Sequence, residues 1–348
     1  MVSLAVSGLA AVDNPAPGVA VIRCLREEGF AGTIVGLAYD VLEPGILNRE
    51  IVDAAYLLPY PKAGKAALLE RLVHIHERHH LHAIIPCLDS ELTNLIGLEK
   101  ELAARSIRCI LPTSAQLKAV SKRRLTGQLA ALGVKSPETR FASGPQEIRK
   151  IVEEMDLPVF IKGPFYEAYK ARTVEEALHF SSIVADRWGY PVIIQEDVKG
   201  EEINAAVVSD GKGGCAAVCM KKLVITGKGK GWTGVSIKNE KLLAIARAIT
   251  SGIGWRGPME IEAIQGPDDT IWVIEINPRF PAWIYLSKAA GLNLPYLLLQ
   301  MIEGRSLPAE SDYRTGVVFS NFTTNIITEI GTIEGLFTAG EVHYEKEL

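Results

Sequence analysis

The sequence predicts a mixed α/β fold, in which a parallel α/β unit is followed by a larger, strand-rich unit. Three observations predict it. Strand-like and helix-like patterns alternate over residues 1–112, and hairpin-like strands separated by single helices dominate the remainder. The chain also has 348 residues, which is too many for one average core. We therefore expect two or three packed units.

The N-terminal unit shows a strand–loop–helix–strand order that is typical of a doubly wound parallel sheet. Its expected elements are a strand over 2–10, a helix over 18–29, the strand TIVGLAYD, a helix over 64–80, the strand HAIIPCLD, a helix over 91–105 and the strand IRCILP. Ligands of such sheets bind beyond the carboxyl ends of the strands. Asp89 and Glu91 lie at such an end, so we expect them to contact a substrate. Residues 13–14 lie at another, where a plain turn is the simpler interpretation.

The second unit begins after Pro112 with a helical pair, for which Thr113 is a suitable N-cap and Gly133 a suitable C-cap. Alternating strands and hairpin turns then follow. The expected elements are the strands ETRFA and LPVFIKG, a helix over 174–188, the strands PVIIQEDV, EEINAAVVSD and GCAAVCMKKLVIT, a helix over 239–253, the strands PMEIEAIQ and TIWVIEINP, a helix over 284–304 and the strand-like RTGVVFSNFTTNI.

Composition restricts the partners. The net charge is −4 with acids and bases mixed along the chain, so binding to nucleic acid or to a membrane surface is not expected. The N-terminal apolar stretch lacks a basic flank and is interpreted as a buried strand, not a signal peptide. The five cysteines are scattered through apolar contexts, which suits buried thiols in a reducing, cytoplasmic compartment better than a zinc site.

Residues 258–281 carry the strongest chemical signal. Residues two apart in a strand share a face, so Glu275 and Asn277 point together, as do Glu260 and Glu262 on the preceding strand. A hairpin would bring Glu262, Glu275 and Asn277 to a common point. Bare carboxylates there would repel each other, and a hard cation such as Mg²⁺ (or Mn²⁺) relieves the repulsion. An exposed face of solvated charges is the alternative, but apolar residues flank the acids on both sides.

These residues also resemble a known family. Glu275-Ile276-Asn277-Pro278-Arg279 resembles the metal-binding E-x-N-P-R motif of ATP-grasp enzymes, especially the branch that contains carbamoyl phosphate synthase and biotin carboxylase. The upstream GPMEIE resembles the partner strand, in which Glu262 best matches the further metal ligand and Glu260 is the alternative. The resemblance implies a pre-ATP-grasp domain at 1–112 and a two-part ATP-grasp domain at 113–308, with its α+β lid at about 135–194. The C-terminal residues 309–348 carry no family signal, and we expect them to form a segment that packs on the core.

The resemblance also implies a nucleotide site for ATP. Lys162, at the end of a strand, and the earlier Lys122 match lysines that hold the phosphates. The segment IIQEDVKGEEINAAVV resembles the hinge that receives adenine and ribose. Its expected contacts are Gln195 and Glu196 to the adenine amine, the backbone of Asp197 and Val198, and Glu202 to the ribose.

One loop departs from the family pattern. Residues 163–171 contain a single glycine, whereas glycines normally let backbone N–H groups approach phosphates. Lys170 and neighbouring aromatic residues could replace that cradle. The glycine-rich segment 226–234, which includes Trp232, Thr233 and Gly234, could supply a substrate or phosphate loop, or could be a plain turn.

Together these features predict an ATP- and Mg²⁺-dependent carboxylate–amine ligase that forms ADP through an acyl phosphate. Arg279 and Lys162 are the expected catalytic residues, and the expected partners are a small-molecule carboxylate and an amine. The resemblance alone implies that these are amino acids or short peptides. Phosphorylation of bicarbonate and a non-catalytic nucleotide-binding regulator are the alternatives. A homodimer is the commonest assembly for such a chain. The histidines at 74–82 are interpreted as a solvated helix end.

Overall fold

The structure is a computed structural model that describes residues 2–12, 15–164, 168–226 and 231–344. Its strands form three sheets of five, six and four strands. We refer to them as the N-terminal sheet, the core sheet and the lid sheet. Within the described ranges, no helix is both long and apolar enough to cross a membrane.

The N-terminal sheet has four parallel strands in the order β3-β2-β1-β4, which confirms the parallel sheet predicted for this unit. Its elements are β1 (Ser3–Val6), α1 (Gly18–Arg26), β2 (Thr33–Ala38), β3 (Ala54–Leu57), α2 (Gly64–His79), β4 (Leu81–Ile85), α3 (Asp89–Gly97) and α4 (Glu99–Ala103). Strand β3 was not predicted. The predicted strand IRCILP was wrong, because only Arg108 bridges to Ala83. The predicted helix 91–105 is divided into α3 and α4 at Leu98.

The lid sheet is antiparallel in the order β5-β8-β6-β7. The helical pair and the lid consist of α5 (Ser114–Ala119), α6 (Leu125–Ala131), β5 (Thr139–Ala142), α7 (Pro145–Glu154), β6 (Val159–Lys162), β7 (Ala168–Ala171), α8 (Val174–Trp188) and β8 (Val192–Glu196). Val159 and Ile161 of β6 share a hydrophobic core with α7 and α8. Since side chains alternate along a strand, Phe160 and Lys162 point to the opposite face of the lid sheet.

The core sheet runs in the order β13-β12-β9-β10-β11-β14 and is antiparallel throughout. Its elements are β9 (Glu201–Asp210), β10 (Cys215–Ile225), β11 (Gly231–Ile237), α9 (Glu240–Ile253), β12 (Arg256–Gln265), β13 (Ile271–Asn277), α10 (Tyr285–Ala289), α11 (Leu294–Ile302) and β14 (Val318–Ser320). Ala205 and Val207 pack with α9 on one face, whereas Ala206 and Val208 share the other face with residues of the N-terminal unit.

The C-terminal segment was expected to pack on the core, and the structure shows that it contacts both the core sheet and the N-terminal sheet. Only three residues of RTGVVFSNFTTNI form a strand, β14, which pairs with β11 at the edge of the core sheet. The chain then forms α12 (Ile330–Ala339) and β15 (Glu341–His343), and β15 adds an antiparallel strand to the N-terminal sheet beside β3. The segment therefore joins the core to the N-terminal unit. The domain boundaries themselves stay a prediction.

Candidate functional site

The site is built on the hairpin of β12 and β13. Glu262 lies opposite Glu275 and Glu260 lies opposite Asn277 in its antiparallel register, and the register shifts immediately after Glu262. The alternation that predicted two shared faces thus brings these four side chains together as neighbouring cross-strand pairs.

Two further residues of this face come from β9 and β10. Asn204 lies opposite Glu262 on the other side of β12. The ammonium nitrogen of Lys222 lies 2.7 Å from Glu202 Oε2 and 3.2 Å from Glu262 Oε2. The predicted ribose-binding acid and the predicted metal ligand are therefore joined by one buried cation. Neither Asn204 nor Lys222 stood out in the sequence, since only the pairing of β9 with β10 and β12 reveals their position.

Charge on this face is unevenly shared. Burial disfavours the ionised form of Glu262, but Lys222, Arg279 and Asn277 together outweigh burial and hold the pKa of Glu262 below its usual value. Burial and the neighbouring charge of Glu262 raise the pKa of Glu260. Burial also opposes the charge of Lys222, yet Glu262 and Glu202 raise its pKa, so it stays a cation. Glu262 is therefore the more readily ionised acid of the two on β12.

Arg279 connects this hairpin to the N-terminal unit. Its Nε lies 3.3 Å from Oδ1 of Asp89, the first residue of α3, and its Nη1 donates a 3.4 Å hydrogen bond to Oε2 of Glu260. The structure therefore places Asp89 at the site. A guanidinium at this place could bind a phosphate or a carboxylate through two parallel hydrogen bonds, in a bidentate pair.

Glu91 has a different role from the predicted substrate contact. It is only 2% exposed. Its carboxylate accepts hydrogen bonds from the Ser7 hydroxyl, the Tyr39 hydroxyl at 2.9 Å, and the backbone N–H groups of Cys87 at 3.0 Å and Leu88 at 3.1 Å. A buried carboxylate with this many donors is committed to holding its loop. The structure therefore assigns Glu91 to the stability of the N-terminal unit.

Two lysines face the hairpin from the lid side. Lys122 Nζ lies 3.4 Å from Glu275 Oε1 and donates to the backbone oxygen of Gly163 at 3.4 Å. Lys162 Nζ donates a 2.6 Å hydrogen bond to Gln195 Oε1. Burial lowers the pKa of Lys162, although Glu275 works against this.

A cleft lies between the lid and the core. Lys162 and Gln195 line it from the lid, and Val273 and Ile274 line it from β13. The cleft thus combines apolar walls with cations at one end, a composition that suits the base and the phosphates of a nucleotide.

The hinge residues are partly engaged by the protein. Glu196 Oε2 accepts a 3.0 Å hydrogen bond from the backbone N–H of Glu138, and Asp197 forms ion pairs with Lys199 and, at 2.7 Å, with Lys170. Val198 follows β8 in the connection to β9. Lys170 lies in β7, so the predicted loop 163–171 is partly strand, and residues 165–167 lie outside the described residues. Lys170 is thus paired with an acid in this structure, and its part in a phosphate cradle stays a prediction.

The glycine-rich segment 226–234 also lies partly outside the described residues and partly in a strand. Residues 227–230 lie outside the described residues, as do residues 13–14. Trp232, Thr233 and Gly234 belong to β11, and the Thr233 hydroxyl bonds the Ser320 hydroxyl at 2.9 Å. A Cβ at Gly234 would come within 2.6 Å of Met220 Sδ. Gly234 is therefore explained by close packing, and these three residues form a strand, not a mobile substrate loop.

The side-chain oxygen atoms at this site fit a hard cation. Asn277 Nδ2 donates to Glu260 Oε2 at 3.1 Å and to Glu262 Oε1 at 2.9 Å, which leaves its Oδ1 as an acceptor. The buried Oδ1 of Asn204 has no hydrogen-bond partner. Oxygen atoms of this kind suit Mg²⁺ and its bound water. Among the described residues, no three His, Cys, Asp or Glu side chains are arranged to hold a metal. The predicted set of Glu262, Glu275 and Asn277 has only two carboxylates and stays a prediction.

The histidines at 74–82 were predicted to form a solvated helix end, but two of them are hydrogen-bonded to other parts of the protein. His74 Nε2 bonds Glu341 Oε2 at 2.8 Å, and His79 Nε2 bonds the Tyr56 hydroxyl at 2.7 Å. The rings of His79 and His343 stack with centroids 5.4 Å apart. The end of α2 therefore anchors β15.

Comparison with known proteins connects this geometry to a family. Residues 190–325 match the model of a family described as ATP-grasp in the biosynthetic pathway with Ter operon. The carbamoyl phosphate synthase large chain of Methanothrix thermoacetophila is 25% identical over 307 residues, which cover 82% of this chain. This chain spans only 28% of that relative's length.

Solved structures show the same fold over nearly the whole chain. One is the biotin carboxylase domain of Hydrogenobacter thermophilus 2-oxoglutarate carboxylase, solved with MgADP, ADP and bicarbonate. It has a TM-score of 0.70 at 16% identity, covering 91% of this chain and 73% of that one. Another is an L-amino acid ligase from Bacillus licheniformis, with a TM-score of 0.64 at 15% identity, covering 86% of this chain and 73% of that one. The resemblance predicted from the β12–β13 motif is confirmed: residues 190–325 match an ATP-grasp family model, and the chain is similar in sequence to the carbamoyl phosphate synthase large chain and in fold to biotin carboxylase.

Proposed function

We propose that this protein is an ATP- and Mg²⁺-dependent ligase that joins a small-molecule carboxylate to an amine, with release of ADP and phosphate. One observation carries the proposal: Glu262 and Glu275 face each other across β12 and β13, and Lys122 approaches Glu275 to 3.4 Å from the lid side. This arrangement provides oxygen ligands for a metal and cations for phosphates at one place.

The first step transfers a phosphoryl group. A substrate carboxylate oxygen attacks the γ-phosphorus of ATP in line, the bond to the bridging oxygen breaks, and ADP leaves. Lys122 and Lys162 offset the charge on the transferred group. A Mg²⁺ ion held by Glu262, Glu275 and Asn277 would neutralise the phosphates and align them.

The second step forms the amide. The amine nitrogen attacks the acyl carbon of the acyl phosphate, the carbon–oxygen bond to phosphate breaks, and the nitrogen loses a proton. Arg279 would hold the acyl phosphate, since its guanidinium lies between Asp89 and Glu260, next to the proposed metal ligands on β12 and β13. Closure of the lid would keep water from hydrolysing the intermediate.

The test measures ADP and phosphate release with Mg-ATP against pooled amino acids and small carboxylic acids, with mass spectrometry of the products. We expect ADP release that requires both an acid and an amine, and a product lighter than their sum by one water. Glu275→Ala should abolish it, whereas Glu240→Ala, an exposed acid on α9, should not. Normal turnover of Glu275→Ala would refute the proposal.

Phosphorylation of bicarbonate is a second candidate, because a biotin carboxylase domain solved with bicarbonate has the same fold. ADP release that depends on bicarbonate and needs no amine would favour it. Tight ATP binding without turnover against any acid would favour a nucleotide-binding regulator.

A further inference from the structure

Glu260 lies at the centre of the hydrogen-bond network of the site. It is 5% exposed, in the middle of β12. Its Oε1 accepts hydrogen bonds from Asn204 Nδ2 and Trp283 Nε1, both at 2.8 Å. Its Oε2 accepts from Asn277 Nδ2 at 3.1 Å and from Arg279 Nη1 at 3.4 Å. The four donors come from β9, from β13 and from the segment that follows β13.

This pattern argues against Glu260 as a metal ligand. An ionised carboxylate offers about four lone-pair positions, and here each oxygen already serves two donors. A metal at Glu260 would have to displace at least one of them. Glu262 differs, because its partners are Lys222 and Asn277 and it is more exposed.

The network also fixes an orientation. An amide can present either its nitrogen or its oxygen, and the hydrogen-bond partners decide which. Two carboxylates, those of Glu260 and Glu262, receive the nitrogen of Asn277, so its oxygen is directed elsewhere. Arg279 is fixed in the same way by Glu260 on one side and Asp89 on the other.

We infer that Glu260 is a positioning residue, which turns the Asn277 oxygen towards the cation and holds the Arg279 guanidinium towards the acyl phosphate. The inference rests on the proposed function, because the roles of Asn277 and Arg279 are proposed there. Trp283 and Asn204 belong to the same hydrogen-bond network, since both donate to Oε1, the other carboxylate oxygen of Glu260.

The test uses Trp283, which donates to Glu260 but offers no oxygen to a metal. Trp283→Phe removes one donor and keeps an aromatic ring in a buried position. If Glu260 positions Asn277, the loosened carboxylate weakens Mn²⁺ binding in the presence of ADP. The expected loss is about tenfold, the effect of weakening one hydrogen bond to a charged group. If Glu260 is itself a ligand, removing a competing donor leaves Mn²⁺ affinity unchanged or raises it.

Electron paramagnetic resonance of Mn²⁺ measures this affinity without turnover. Trp272→Phe, the same change on β13 beside Lys135, is the matched control and should bind Mn²⁺ as the wild type does. Trp283→Leu, which also removes the donor to Oε1 and adds no oxygen, should act in the same direction if Trp283→Phe does not fold. Circular dichroism checks folding in each case.

A kinetic readout separates positioning from general damage. We expect Trp283→Phe to lower kcat by about tenfold while the KM for ATP changes little, because Arg279 acts after ATP is bound. Unchanged Mn²⁺ affinity and kcat in Trp283→Phe would overturn the inference while leaving the proposed function intact. A wild-type protein that binds no Mn²⁺ with ADP would overturn the proposed metal site, and the inference with it.

Discussion

Arg279 Nε lies 3.3 Å from Asp89 Oδ1, so a side chain of the core hairpin is held by the first residue of a helix in the N-terminal unit. The carboxyl end of a parallel strand thus contributes to a site on an antiparallel sheet. Residues far apart in the sequence share one ion pair there, and each can be tested through the other.

Asp89→Ala should impair catalysis more than nucleotide binding. Arg279 would keep Glu260 but lose its second carboxylate, and its guanidinium would be free to turn. We expect kcat to fall about tenfold with little change in the KM for ATP, the pattern of an interaction used mainly in the transition state. Steady-state kinetics with the identified substrates measures this. Asp156→Ala, an exposed acid in the lid, is the control and should behave as wild type.

Lys222→Met should destabilise the fold, whereas Lys221→Met should not. Lys222 is 5% exposed and serves Glu202 and Glu262, so its loss leaves two partly buried carboxylates without their cation. Loss of a fully buried partner costs about 3–5 kcal/mol, and partial exposure of both acids reduces the expectation to about 1–3 kcal/mol.

Lys221 provides the matched comparison for that measurement. It lies on the opposite face of β10, 33% exposed, and pairs with the exposed Glu201 at 2.6 Å. A surface pair of this kind contributes at most about 1 kcal/mol. Urea unfolding gives both values. Equal losses for the two variants would show that the buried ammonium has no special role.

Lys162→Met should lower the turnover of ATP by about a hundredfold, the typical cost of removing a group that stabilises developing charge. Lys150→Met, a lysine on the outer helix α7 that is 76% exposed, is the control.

Burial lowers the pKa of Lys162, so its charge is lost at a lower pH than that of an ordinary lysine. Nucleotide affinity, measured by calorimetry, should therefore begin to fall on the alkaline side earlier in the wild type than in Lys162→Arg.

Stability should fall as the pH drops below about 6.5, through the anchor of β15. Burial, with His343 and Arg78 nearby, lowers the pKa of His79, while Glu341 and Asp53 partly oppose this. A histidine whose pKa is depressed by folding contributes stability that is complete above its unfolded pKa of about 6.5 and is lost as the pH falls through the folded value.

The readout is the thermal midpoint between pH 7.5 and pH 5.5. It should decrease in the wild type and decrease less in His79→Gln, which cannot gain a proton. Glu341 does not contribute in this window, because His74, Arg78 and Arg71 together outweigh burial and hold its pKa below the usual value. Identical pH profiles for the two proteins would exclude His79 as the source.

The sequence predicted the hairpin at the centre of the site because the signal is local. Two-residue alternation and a single turn determine which side chains of β12 and β13 share a face, and Glu262, Glu275 and Asn277 follow from that rule. Lys222 and Asn204 required the order of strands in the core sheet, which no local pattern encodes. Glu91 was misjudged for the same reason, since two of its four donors, Ser7 and Tyr39, come from the connections that follow β1 and β2.

The C-terminal residues were the hardest to predict. Strands β14 and β15 have three residues each, too short for a visible period, and each forms only by pairing with a longer strand elsewhere. Tertiary pairing, and not local preference, determines their structure. The same holds for β3, whose four residues are recognised only between β2 and β15.

The position of β15 affects how the protein would respond to cleavage by a protease. By pairing with β3, it covers a row of backbone N–H and C=O groups that would otherwise end the N-terminal sheet. A protease cut in the exposed stretch around Ile327 would release this cover. The bared edge could then recruit strands from other chains. Clipped molecules are therefore expected to aggregate more readily than intact ones, which light scattering of the cut and uncut protein would measure.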